Sequence, residues 1–133
     1  MGRGPNISER QRREASGRRA ETLAVLALRL KFYRILARRY RSPVGEIDIV
    51  ASRGKTVVFI EVKARQTIEQ GLEAITPRQQ QRITRAANAF LQAHPNLKHA
   101  LMRFDVLLVV PNRLPHHVKD AWRDSLVCAE YVE

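Results

Sequence analysis

The sequence predicts an α/β sandwich, with helices packed on a mixed β-sheet in the order α-β-β-β-α-β. Three observations carry that reading. Apolar residues recur at helical spacing between Ser16 and Lys31. Thr76-Pro77-Arg78-Gln79 opens a second helix. Three β-branched or apolar runs, around residues 46–50, 56–64 and 103–110, have strand character.

The first helix is expected over residues 16–31, capped by Ser16, with Ala20, Leu23, Ala24, Ala27 and Leu28 on its apolar face. Residues 1–15 read as a disordered basic arm and residues 16–133 as one domain. From Phe32 to Arg39 the chain turns β-like, and Arg41 to Gly45 breaks it. Glu46–Val50 and Thr56–Ala64 read as a hairpin joined tightly through Ser52 to Lys55. Residues 66–75 read as a connecting loop containing Gly71. Thr76 is then a cap, Pro77 suits the first helical position, and Gln79 completes a capping box for a helix ending near Ala93. Arg103–Val110 is apolar enough to be a central strand, and the tail from His116 is left unassigned.

Charge is distributed unevenly. Of a net +11, residues 1–41 carry 12 Lys/Arg against 3 Asp/Glu, and residues 42–133 carry 12 against 10. A basic segment of this kind is attracted to polyanions with salt-dependent affinity. The single cysteine, Cys128, excludes an intramolecular disulfide. The basic start lacks an apolar signal core, and no apolar run approaches the roughly 20 residues of a membrane span. The expectation is a cytoplasmic protein with a nucleic-acid partner and no membrane.

The hairpin carries the chemistry. By strand alternation Asp48 shares one face of the first strand with Glu46 and Val50, and Glu61 and Lys63 share one face of the second. A two-residue turn at Arg53-Gly54 makes Asp48 and Glu61 diagonal neighbours, and a register shifted by two makes them directly opposite. Two carboxylates facing each other among Val57, Phe59 and Val62 repel and lose hydration. A divalent cation such as Mg²⁺ removes both penalties. A lysine beside it can orient a water or stabilise charge on phosphate, which assembles the parts for metal-assisted phosphodiester hydrolysis. Glu21, with Ala24, Val25 and Leu28 after it at helical spacing, sits on an apolar face and needs a partner. Plainer readings exist for each residue. An E-x-K on a strand is common, Asp48 could pair with an arginine, and Glu21 could hold its head in water. Asp105 reads as a structural pairing with a basic residue, and Gln79 as a cap. His116-His117 is a poor chelating pair because adjacent residues rarely bind one ion.

The motifs Glu21-x-x-Ala24, GEIDIV (Gly45 to Val50), VFIEVKAR (Val58 to Arg65), AITPRQQQRI (Ala74 to Ile83) and RFDV (Arg103 to Val106) occur in one order. In this the chain resembles the YraN-type family of bacterial proteins, a branch similar to the PD-(D/E)xK nucleases and to Holliday-junction resolvases. The resemblance covers roughly residues 17–122 and implies a restriction-endonuclease-like fold. It implies metal-binding roles for Asp48 and Glu61, a catalytic role for Lys63 and a supporting acidic role for Glu21. One departure is Gln79, where the family's helix usually carries a lysine.

The function expected is a Mg²⁺- or Mn²⁺-dependent endonuclease acting on DNA, including branched or damaged DNA. Asp48 and Glu61 hold the metal, Lys63 positions the water, and Glu21 serves a second metal or a water bound to it. Arg18, Arg19, Arg38, Arg39, Arg41 and Arg65 are the expected phosphate contacts, with Arg78 and Arg82 as substitutes for the missing lysine. Resolvase-like nucleases act as dimers, so the resemblance allows a homodimer, although no dimer surface is legible. The rival is a noncatalytic nucleic-acid-binding protein on the same scaffold. A basic RNA-associated protein explains the arm but not the clustered carboxylates.

Overall fold

Burial divides most of the strand residues between two apolar clusters, one on each face of a single sheet, and a third, smaller cluster gathers Ile75, Val106 and Leu108. A computed structural model describes residues 7–123. In it α1 (Ile7–Leu30) leads into three antiparallel strands, β1 (Arg34–Ser42), β2 (Gly45–Arg53) and β3 (Thr56–Ala64). After α2 (Ile68–Glu73), α3 (Pro77–Ala93) and a 3₁₀ turn come β4 (Leu101–Val109) and β5 (His116–Trp122). The sheet order is β1-β2-β3-β4-β5; β4 joins β3 in parallel, and β5 joins β4 antiparallel. The parallel step requires a crossover, which α3 supplies. The expected mixed sheet flanked by helices, in the order α-β-β-β-α-β, is present. Among the described residues no helix is long and apolar enough to cross a membrane.

Ala24, Val25 and Leu28 of α1 pack on Ile49, Ala51, Val58, Ile60 and Leu107. On the other face Ile83, Ala86, Ala87 and Phe90 of α3 pack on Val50, Val57, Phe59 and Phe104. The approach of α3 is close enough that a Cβ on Gly45 would lie 2.6 Å from the Arg82 carbonyl oxygen. Any larger residue there would lift the start of α3 away from β2.

Several boundaries differ from the sequence reading. The first helix begins at Ile7 rather than Ser16, so residues 7–15 of the expected arm are helical; Glu, Gln and Arg, which dominate this stretch, are good helix formers. Residues 1–6, like Cys128, fall outside the described residues. β1 starts at Arg34 because Phe32 adopts a left-handed φ of 68° and turns the chain out of the helix. The expected loop 66–75 contains α2, whose Thr67 accepts the Gln70 N–H at 3.1 Å as its cap. Thr76 caps α3 as expected, accepting the Gln79 N–H at 3.2 Å. The unassigned tail supplies β5.

The hairpin register also needs correction. Arg53 pairs with Thr56, so the turn residues are Gly54 and Lys55, with Gly54 at φ 60°. This is the shifted alternative, which runs Asp48 opposite Glu61. The paired ladder nevertheless stops one step earlier, at Ile49–Ile60.

Candidate active site

Where the ladder ends, the Asp48 side chain replaces a backbone partner. Its Oδ2 accepts the Val62 N–H at 2.8 Å. The Glu61 carboxyl meets the Asp48 carboxyl directly, and Lys63 Nζ lies 3.3 Å from Glu61 Oε1. The side chains of Glu61 and Lys63 are only 14% and 16% exposed, so hydration does little to screen them. Burial pushes the Glu61 carboxyl up to about 8, reinforced by the charge of Asp48 and opposed by Lys63. Burial raises Asp48 as well, against the Val62 N–H, Glu61 and Lys63, which lower it.

Simple alternation does not produce this convergence. Ile49 belongs to the cluster under α1, yet Ile47, two residues away, packs in the cluster under α3. On β1 the same break appears: Tyr40 stacks edge-on against Phe90 of α3, while Arg38 reaches Glu21 of α1. Pairs Arg38–Ile49 and Tyr40–Ile47 bracket Arg39 and Asp48, which therefore stand in register. Arg39 has a left-handed φ of 51°, and the alternation of both strands is interrupted at this level. As a result Asp48 opens into a cleft of about 850 Å³ beside α1, together with Glu21, Arg39, Val62 and Lys63. Glu61 lines a second cleft of about 410 Å³ beside α3, with Ser42, Gln79 and Arg82. Asp48 and Glu61, whose carboxyls interact with each other, thus line different clefts.

Glu21 is placed near the pair and is buried, and it is not in water. Arg39 Nε donates to its Oε2 at 2.9 Å and Arg38 Nε to its Oε1 at 3.2 Å. The hydrogen bond to Glu21 is the largest cause of the raised pKa of Arg39. Sequence reasoning listed these three residues but missed that they join. Two consecutive arginines after a helix with one apolar-face carboxylate were the available signal; the backbone turn at Arg39 that unites them has no signature in its residue type.

The remaining basic candidates scatter. Arg18 and Arg65 line the larger cleft, as does Arg41, which lies 3.5 Å from Glu46. Arg82 lines the smaller one. Arg19 and Arg78 are exposed and belong to the lining of neither. The Gln79 N–H donates to the Thr76 cap, and its side-chain Oε1 is buried without a hydrogen-bond partner among the described residues, so the reciprocal half of the capping box is not made. Asp105 is structural, as its setting among apolar residues suggested: it accepts from Arg103 at 2.8 Å, pairs with His117 Nε2 at 2.6 Å and takes the Asp120 N–H at 2.9 Å.

A family model described as Uncharacterised protein family UPF0102 matches residues 20–109, a span that holds Glu21, Asp48, Glu61 and Lys63. The chain belongs to this family, the YraN-type family. A UPF0102 protein of Parvibaculum lavamentivorans is 53% identical over 107 residues, covering 80% of each chain. One from Paramagnetospirillum magneticum is 49% identical over 127 residues, covering 92% of this chain and 98% of its own. One from Bradyrhizobium diazoefficiens is 47% identical over 123 residues, covering 91% and 92%. These names state a family and no reaction, so the reaction is argued from the site.

Proposed function

We propose that this protein is a Mg²⁺- or Mn²⁺-dependent endonuclease that hydrolyses DNA phosphodiester bonds. The observation that carries the reading is the buried contact between the Asp48 and Glu61 carboxyls with Lys63 at 3.3 Å. Two carboxyls held together against their charge favour a proton or a hard cation between them. Among the described residues no group of three His, Cys, Asp or Glu side chains converges. A cation would therefore rest on Asp48 and Glu61, with the Val62 carbonyl and water completing an oxygen shell of the kind Mg²⁺ prefers. When bound, the cation supplies Lewis-acid stabilisation of phosphate charge and eases deprotonation of water.

The chain's own residues do the rest. Asp48 ties β2 to the Val62 N–H and fixes the carboxyl pair in place. Lys63, which lines the larger cleft, orients the attacking water or faces the charge that builds on phosphate. Arg18, Arg41 and Arg65 on the rim of the same cleft hold neighbouring backbone phosphates. The excess positive charge of the chain draws the polyanion in.

The rival reading keeps the nucleic-acid contact and drops the cleavage, and Gln79, where the resemblance implies a lysine, favours it. A cleavage screen on linear, branched and single-stranded DNA with Mg²⁺ and with Mn²⁺ separates the two. Nicking or scission that Glu61→Ala abolishes supports the enzyme; retained binding without scission under either ion supports the rival.

A further inference from the structure

We infer that Glu21, Arg38 and Arg39 form a phosphate clamp, in which buried Glu21 is a positioning residue that aims two guanidinium groups and the ligand is a nucleic-acid backbone phosphate. The identity of the polymer rests on the proposed function; the geometry of the clamp does not.

Successive side chains of a strand point to opposite faces, so Arg38 and Arg39 should diverge. They converge because Arg39 takes a left-handed φ of 51°, a conformation that is strained for a residue with a Cβ and nearly free for a glycine. Tyr40 confirms the break by packing on Phe90, on the opposite side of the sheet from Glu21. Backbone strain of this kind is stored where a site requires it. Here it places both guanidinium groups on one carboxylate, 9% exposed, while the arginine side chains remain 46% and 48% exposed.

The bonding pattern shows what the arrangement leaves available. Each arginine meets Glu21 through Nε alone. The Nη groups form no other hydrogen bond among the described residues. One carboxylate cannot balance two guanidinium charges, so the trio keeps a net positive charge and presents paired N–H donors. That donor geometry matches the oxygens of a phosphate, which arginine binds in bidentate fashion. The cleft that Arg39 lines also holds Arg18, Arg65 and Lys63, so positive charge continues beyond the clamp along the same surface. Arg39 stands in register with Asp48, so a phosphate on the clamp lies beside the carboxyl pair. Both Glu21 oxygens are occupied by arginine, so in this arrangement Glu21 acts on the substrate through Arg38 and Arg39 and is not a ligand of the metal.

The test is duplex DNA binding in EDTA by fluorescence anisotropy, on the full-length wild type, Glu21→Gln and Arg39→Gly. Removing a negative charge from a basic cleft should by itself tighten DNA binding. Positioning predicts the reverse: Glu21→Gln should weaken binding roughly tenfold, the equivalent of one charge-assisted hydrogen bond. Arg39→Gly should weaken it at least as much, since it removes one guanidinium of the clamp outright. Calorimetric Mn²⁺ titration should give the same affinity for Glu21→Gln and wild type. The clamp is overturned if Glu21→Gln binds DNA as tightly as wild type or more so, or if it loses Mn²⁺ with DNA binding intact. It is equally overturned if the wild type binds neither duplex DNA nor duplex RNA. If the variants behave as expected and the wild type never cleaves, the nuclease reading fails and the clamp stands.

Discussion

Asp48 and Val62 are joined across the mouth of the β2–β3 hairpin, the carboxylate accepting the backbone N–H at 2.8 Å. A side chain thus does the work of a ladder bond beyond the last backbone pair, Ile49–Ile60. The carboxylate is held where it must meet Glu61, and the charge conflict between them becomes a built-in property of the fold.

The first consequence concerns stability. The folded state holds the Glu61 carboxyl at about 8, above its ordinary value, so ionising it costs folding energy. That cost is absent below the unfolded carboxyl range near 4.3, grows as pH rises and is complete above about 8. Glu61→Gln should therefore melt higher than wild type in EDTA at pH 9, by several degrees, and the difference should vanish near pH 4. Adding Mn²⁺ at pH 9 should raise the Tm of the wild type and leave that of Glu61→Gln unchanged.

Asp105 behaves with the opposite sign. Burial pushes its carboxyl up, but His117, Arg103 and the Asp120 N–H together outweigh burial and hold it at about 2. Its stabilisation is present above the ordinary carboxylate range and is lost as pH falls from about 4 toward 2. Asp105→Asn should lower stability at pH 7 by about 3–5 kcal/mol, since it strands Arg103 in a partly buried site. Chemical denaturation at pH 7 and pH 3 checks this, with a smaller difference expected at the lower pH.

Much of this was legible before the fold was described. The strand character of 56–64, the cap at Thr76-Pro77 and the spacing of GEID before EVK are local signals, and the structure keeps each of them. The turn was misplaced by one residue because Arg53-Gly54 and Gly54-Lys55 both supply the glycine a tight hairpin needs. Parity alone placed Asp48 and Glu61 on one face; the strand break at Arg39 sends them to different clefts, and their contact depends on where the ladder stops. The partners of Glu21 were illegible for the same reason. A left-handed arginine is a tertiary outcome, and residue type does not announce it.

Salt dependence gives a third check on the cleft. Arg65 lines it next to Ala64 and Lys63 and is exposed. Arg65→Ala should weaken duplex binding in EDTA across sequences alike and flatten the slope of log affinity against log salt by about 0.9. The control is Arg113, exposed and away from either cleft lining; Arg113→Ala should leave the slope close to that of wild type.

The central claim is that Glu61 holds the metal while Lys63 acts on water or phosphate. The measurement that tests it most directly is single-turnover DNA cleavage beside calorimetric Mn²⁺ titration, for wild type, Glu61→Ala and Lys63→Ala. Glu61→Ala should lose both the metal and the cleavage. Lys63→Ala should bind Mn²⁺ as well as wild type or slightly better, because a neighbouring positive charge is gone. Its cleavage rate should fall by about 100-fold or more, since the group acts mainly in the transition state. Cleavage by both variants at the wild-type rate, or Mn²⁺ binding by Glu61→Ala equal to that of wild type, would contradict the account.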